Sequence, residues 1–438
     1  MAADLADRIT GSFLGLAVGD ALGAPVEGLK PGAIKNTYGT LRDFADPEAH
    51  LPREKIYKWR KPGAYTDDTQ QALALLDSLL QDRGLQPERA AERLAALAKG
   101  AEFRFGVYRG TGKNFRLSIT DLRQGVAWTE SGRDTAGNGA AMRVAPVALY
   151  YYENPEIMAD AVARASLLTH RNPLGVSAAA GVARVISKSL FLEEIPPGER
   201  AGLVADAAEF CRGTEKMLAQ RYSLHFFDNY KQYLHLFSDA LSLVADNFGR
   251  EQKKVEELIS RNANRYAGCE ITRPTLGFAL SSVVYAIYLA ALHADDFEKA
   301  VAAAVNSGGD ADTLGAMAGA MSGALHGASA IPERWLHGLA NRKQLTVRAQ
   351  ALAARKWPGG KAEDLYEIEY GLTSREHQER LALMRKKGVD FPEKKQKQKK
   401  YAEPEPIQEK FDGKRFKRQL RRMEKWKKFL PPDSLDGE

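Results

Sequence analysis

Small and apolar residues recur at helical spacing through most of residues 10–350, while runs of alternating apolar and polar residues are nearly absent. A chain patterned this way buries its apolar faces by packing helix on helix, so the fold class expected is all-α. Helices are read over 10–27, with Thr10 as cap, and over 69–82, 87–99, 139–152, 157–168, 173–190, 275–293 and 296–306. The segment 313–327 alternates Ala, Gly, Met and Ser and can approach a neighbour closely. These helices form a body over 1–355. Within it, 191–265 reads as a helical elaboration whose aromatic stripe (Tyr222, Phe226, Phe227, Tyr230, Tyr233, Phe237) serves packing. Residues 356–438 read as a basic C-terminal extension, with an amphipathic helix over 375–388, a linker over 391–409 and a basic helix over 410–430.

A length of 438 residues, 44% hydrophobic and 27% charged, suits a globular protein with a large core. Cys211 and Cys269 have no zinc-type spacing and fit a reducing compartment. The N-terminus is acidic where a signal peptide is basic, and no apolar segment is read as reaching the ~20 residues that span a bilayer. The expectation is a cytoplasmic protein without a membrane partner. The net charge of +7 is uneven. Residues 385–430 carry 18 Lys/Arg against 7 Asp/Glu, so the body is near neutral and the excess belongs to the tail.

Two acidic clusters carry the chemistry: Thr66-Asp67-Asp68-Thr69 and Asp310-Ala311-Asp312-Thr313. Each stands where a loop becomes a helix. Threonine and aspartate there are good helix caps, and acids in a first turn suit the helix dipole. The same groups are hard oxygen ligands of the kind Mg²⁺, Mn²⁺ or Ca²⁺ prefer. The two roles are compatible, because a helix start is a rigid mount. Asn306-Ser307-Gly308-Gly309 precedes the second cluster and lets backbone come close to a ligand. Four carboxylates brought together repel one another unless cations stand between them, so a two-metal site follows if the clusters meet.

Five motifs in order complete the pattern. They are Gly15-Leu-Ala-Val-Gly-Asp-Ala-Leu-Gly-Ala-Pro-Val-Glu27, Tyr65-Thr-Asp-Asp-Thr-Gln70, Gly137-Asn-Gly-Ala-Ala-Met-Arg143, Leu168-Thr-His-Arg-Asn-Pro173 and Asn306-Ser-Gly-Gly-Asp-Ala-Asp-Thr313. The series resembles the ADP-ribosylglycohydrolases over residues 10–345. The tail and much of 191–265 fall outside the resemblance. It implies an all-α fold with two Mg²⁺ or Mn²⁺ ions, held by Thr66, Asp67, Asp68, Asp310, Asp312 and Thr313. It also implies that Thr135, Ala136, Gly137, Asn138 and Gly139 belong to a phosphate loop, and that His170 and Gly112 lie along bound ADP-ribose. Glu27 matches a mobile glutamate near the metals, and Asp20 is expected to brace the metal loops. Three positions depart from relatives: Ala311 replaces a threonine, Gly110 stands where some carry an acid, and Ala136 replaces an aromatic.

The activity implied is metal-assisted hydrolysis at the anomeric carbon of the distal ribose. Glu27 is then the general acid/base, Asp67 and Asp310 fix the ions, and one of the aspartates accepts a proton. The partner is an ADP-ribosylated protein or nucleic acid. Phosphoester hydrolysis at the same metals would give phosphate in place of ADP-ribose. An inactive ADP-ribose-binding scaffold is a further reading. The basic, aromatic-interleaved stretch 385–430 is expected to contact RNA, DNA or an acidic protein.

Overall fold

The computed structural model describes residues 4–357 and 362–390. The chain divides into two units, and Met1–Val389 holds every element discussed below. The expected linker and basic helix over 391–430 lie outside the described residues. Among the described residues every regular element is a helix, with only isolated β-bridges between loops. The all-α expectation holds. The helices that position the site are α1 (Leu5–Gly23), α2 (Asp67–Gln81), α3 (Pro173–Ser189), α4 (Ala279–Leu292), α5 (Ala311–His326) and α6 (Leu365–Lys387).

Helix α1 runs through the centre and is buried on all sides from Arg8 to Gly23. It starts earlier than Thr10, because Asp4 caps it and accepts the Asp7 N–H at 2.6 Å. Contrary to the sequence expectation, Leu5–Val26 is long and apolar enough by composition to cross a membrane. Yet 94% of its most apolar window is buried inside the fold, as befits a core helix.

Glycines set how closely α1 meets α5. A β-carbon on Gly19 would stand 1.9 Å from the Gly315 carbonyl oxygen, and one on Gly15 would stand 2.2 Å from that of Gly319. At the two ends, Gly11 meets Gly323 and Gly23 meets Ala311, so the helices run antiparallel in backbone contact. This register places Asp20, near the end of α1, beside the start of α5, where Asp310 and Asp312 lie.

Other boundaries moved for local reasons. The helix expected over 139–152 is confined to Ala145–Tyr151, because the Asn138 carbonyl accepts the N–H groups of Ala141 and Met142 and closes a turn first. Helix α4 begins at Ala279 and not at 275, since Thr275 gives its carbonyl to the Asp310 N–H. The elaboration forms the helices Arg200–Arg221, Leu236–Asp246 and Gln252–Asn264, which pack on α3 and α4. In that region Phe237 is fully buried, while Leu224 and Phe227 are exposed. The boundary expected near 355 falls inside the first unit, because α6 packs back onto the body through buried Glu369, Leu372 and Glu376.

Candidate active site

The starts of α2 and α5 converge on the end of α1. Asp20 is fully buried and accepts the Thr66 N–H at 2.8 Å, the Thr69 N–H at 3.0 Å and the Thr69 hydroxyl at 2.6 Å. One carboxylate from α1 thus fixes the first turn of α2, the bracing role expected of it. Thr66 caps α2, its Oγ1 accepting the Asp68 N–H at 3.4 Å and facing Asp68 Oδ2 at 3.2 Å. Asp67 Oδ2 accepts from Gln71 at 2.6 Å, and the Asp67 N–H donates to the Arg109 carbonyl at 2.7 Å.

The second cluster is set by two left-handed glycines, Gly308 at φ 64° and Gly309 at φ 72°. The space a Gly309 β-carbon would need is filled by Thr275, whose Oγ1 lies 2.3 Å from that point. Gly309 also exchanges backbone hydrogen bonds with Leu29 and Gly28 at 2.8 and 2.7 Å, which pins the turn after Glu27 to the residue before Asp310. Asp312 Oδ1 accepts the Thr313 N–H at 3.0 Å, and Asn138 donates to Asp310 Oδ2 at 2.6 Å.

Burial pushes the carboxyls of Asp68 and Asp312 well above the usual aspartate range, with neighbouring acids adding to the effect. Burial likewise raises Asp310, against the hydrogen bond from Asn138, and lifts Asp67 to about 7, against Arg60. Asp68 Oδ1 is buried without a hydrogen-bond partner. A buried, unpartnered carboxylate oxygen is costly, and here it sits among hard oxygen donors. The residues present fit a divalent cation. No three His, Cys, Asp or Glu side chains among the described residues form a ready cage; Asp67, Asp310 and Asp312 each turn one oxygen to a protein donor.

Glu27 follows a short 3₁₀ turn and is exposed. Protein nonetheless crowds its carboxyl and raises it, Arg60 opposes, and Asp310 and Asp20 add to the rise.

Residues 135–139 lie beside the acids, joined to them through Asn138. The Ala136 carbonyl accepts the Ala279 N–H at 2.8 Å, so the loop crosses the start of α4. On its other side, β-carbons on Gly137 and Gly139 would stand 3.8 and 3.4 Å from His170 Nε2. A β-carbon on Gly175 of α3 would meet the Thr135 and Gly137 carbonyls at 3.3 and 3.4 Å. His170 is therefore packed beneath the loop. Gly112 starts the helix Lys113–Arg123, and a β-carbon there would meet nothing within 4 Å.

Sequence reading gave Arg143 no role of its own. It is buried, donating to Gln71 at 2.6 Å and to Thr169 at 2.7 Å. Gln71 holds Asp67, and the Thr169 hydroxyl is 2.7 Å from His170 Nδ1, so one guanidinium orients both halves of the site. The only signals were the i,i+4 spacing of Asp67 and Gln71 and the place of Arg143 at the end of the third motif.

Burial, with Arg143 adding to it, lowers His170 to about 3. The unfolded chain takes up that proton first. This group's share of stability is thus intact above about pH 6.5 and is lost as pH falls toward 3. We expect the His170 ring signals in NMR to stay neutral from pH 8 to 5; a midpoint near 6.5 would contradict this packing.

The ADP-ribosylglycohydrolase family model matches residues 1–361. The chain belongs to this family. As a family member it is a hydrolase acting on glycosyl bonds. An uncharacterised protein of Archaeoglobus fulgidus is 30% identical over 79% of this chain and 96% of its own length. The ADP-ribosyl-[dinitrogen reductase] glycohydrolase of Rhodospirillum rubrum is 28% identical over 78% of this chain and 94% of its own. A solved ADP-ribosylglycohydrolase-related protein complex matches with a TM-score of 0.56 and 31% identity, covering 80% of this chain and 99% of that one. The ADP-ribosylglycohydrolase match ends before α6 begins.

Proposed function

We propose that the protein hydrolyses the bond between ADP-ribose and a modified acceptor, releasing free ADP-ribose. The observation that carries this is the convergence of the two largely buried acidic motifs, with half-buried Asp310 tied through Asn138 to the glycine loop. Thr66, Asp67, Asp68, Asp310, Asp312 and Thr313 would hold two Mg²⁺ or Mn²⁺ ions. Such ions supply Lewis acidity and a water of lowered pKa.

The chain's own residues do the rest. Asn138 fixes one oxygen of Asp310, leaving the other for a ligand. The 135–139 loop, narrowed by its glycines and backed by His170, offers a bed for the diphosphate. Glu27, mounted on a turn pinned to Gly309, stands where it can take a proton from water or return one to the leaving group. Glu27→Gln is expected to lower kcat by about 10²–10³-fold with Mn²⁺ affinity nearly unchanged, measured by initial rates and by calorimetry. An equal fall in both would make Glu27 a ligand. We propose a protein acceptor and a cytoplasmic setting.

The test is incubation with arginine-, serine- and nucleic-acid-linked ADP-ribose, with the products identified. Free ADP-ribose supports the proposal and names the linkage. Phosphate as product, or no product from any substrate, overturns it.

A further inference from the structure

Helix α6 lies beyond the family match, yet its buried polar side chains reach the first acidic motif. Glu369 has no exposed surface. Its Oε1 accepts from the Tyr65 hydroxyl at 2.5 Å and its Oε2 from Gln70 Nε2 at 2.7 Å. Tyr65 and Gln70 bracket Thr66–Thr69. Oε2 also forms an ion pair with Arg109 at 2.9 Å, an approach too oblique to be an aligned hydrogen bond. One turn on, the Thr373 hydroxyl accepts from Arg109 at 2.9 Å and donates to the Val107 carbonyl at 2.7 Å.

Arg109 passes this hold onward. Its Nε donates to the Tyr65 carbonyl at 2.8 Å, its N–H to Gln70 at 2.8 Å, and its carbonyl accepts the Asp67 N–H at 2.7 Å. Gly110, at φ 96°, comes next in the chain. A β-carbon there would stand 2.9 Å from Arg60 and 3.1 Å from Asp67 Oδ1. Arg60 in turn faces Glu376 of α6 at 4.0 Å. The buried charges of α6 thus reach the residues that flank the first acidic motif.

A buried ion pair with this many hydrogen bonds fixes geometry more surely than it adds stability. An apolar contact would bury the helix equally well, so stability alone does not call for this network. We propose that Glu369 of α6 is a positioning residue for the hydrolytic site, fixing the Thr66–Asp68 and Gly110–Gly112 loops through Arg109, Tyr65 and Gln70. The inference rests on the metal reading above for its effect on ligand binding, but not for its effect on the loops.

The experiment compares full-length wild type with Glu369→Gln and Thr373→Val by hydrogen exchange and by Mn²⁺ titration. Thr373→Val, which removes one hydroxyl, carries the test if Glu369→Gln does not fold. We expect exchange to speed by about tenfold in peptides covering 64–72 and 107–113, with α3 and α5 unchanged. We expect Mn²⁺ affinity to fall by about 10–100-fold in Glu369→Gln, as for loss of a group that orients ligands, and less in Thr373→Val. Unchanged exchange in those peptides in a folded variant overturns the proposal, and so does a uniform rise across the chain. If wild type takes up no Mn²⁺, the metal reading fails, and the exchange result still decides whether α6 holds the loops.

Discussion

Asp310→Ala is expected to lower the rate of ADP-ribose release by about 10³-fold or more, equivalent to about 4 kcal/mol of transition-state stabilisation. Asp310 is the acid that both motifs and the glycine loop share. It follows the left-handed Gly308-Gly309 turn, receives Asn138, and neighbours Asp68 and Asp312. On the reading proposed above, its loss removes an anionic ligand and frees Asn138, so the ions and the diphosphate would both lose their fixed positions. Folding should survive. With chelator present, the variant should melt no lower than wild type, because a half-buried acid among like charges has been removed. Initial rates and melting curves with and without Mn²⁺ check this. A rate within tenfold of wild type would remove Asp310 from the site.

Gly19→Ala is expected to destabilise the fold by on the order of 3 kcal/mol or more, and Gly15→Ala comparably. The added methyl on Gly19 would lie 1.9 Å from a backbone oxygen of α5, which has no rotamer with which to yield. The helices must separate, and each neighbouring glycine contact opens with them. The matched controls are Gly202→Ala in the first turn and Gly213→Ala in the interior of the helix Arg200–Arg221, where a β-carbon meets nothing within 4 Å. There alanine should be neutral or stabilise by up to about 1 kcal/mol, its helix-propensity advantage. Denaturant midpoints for the four variants check the contrast. A Gly19→Ala midpoint equal to wild type would mean that the helices are not in backbone contact.

These cases show what could be read from the chain and why. The helix start at Pro173 was legible, and Asn172 caps it by accepting the Leu174 N–H, whereas the helix expected from Thr69 begins at Asp67, where Thr66 caps it. The small-residue pattern of 313–327 announced a close partner but could not name α1, since nothing local says which glycines face each other. The two acidic motifs stood out in the sequence as paired carboxylates at helix starts, and the family resemblance joined them across about 240 residues. The true extent of α6 was missed. Its polar residues Glu369, Thr373 and Glu376 face inward, so its sequence lacks the apolar stripe that marks a packed helix. Its partners, Tyr65, Gln70 and Arg109, lie some 260 to 300 positions away, and no periodicity reports such a pairing. Arg60 escaped notice for the same reason, being one basic residue in a polar stretch until Glu376 and Gly110 place it.

Titrating Mn²⁺ into metal-free protein while following release of ADP-ribose from a modified protein is the most direct test of the proposed metal-assisted site. The expected result is uptake of two ions per chain, with release climbing from background as they bind and collapsing when chelator is added. Release that proceeds equally well in chelator, or saturates with no ion bound, would contradict it.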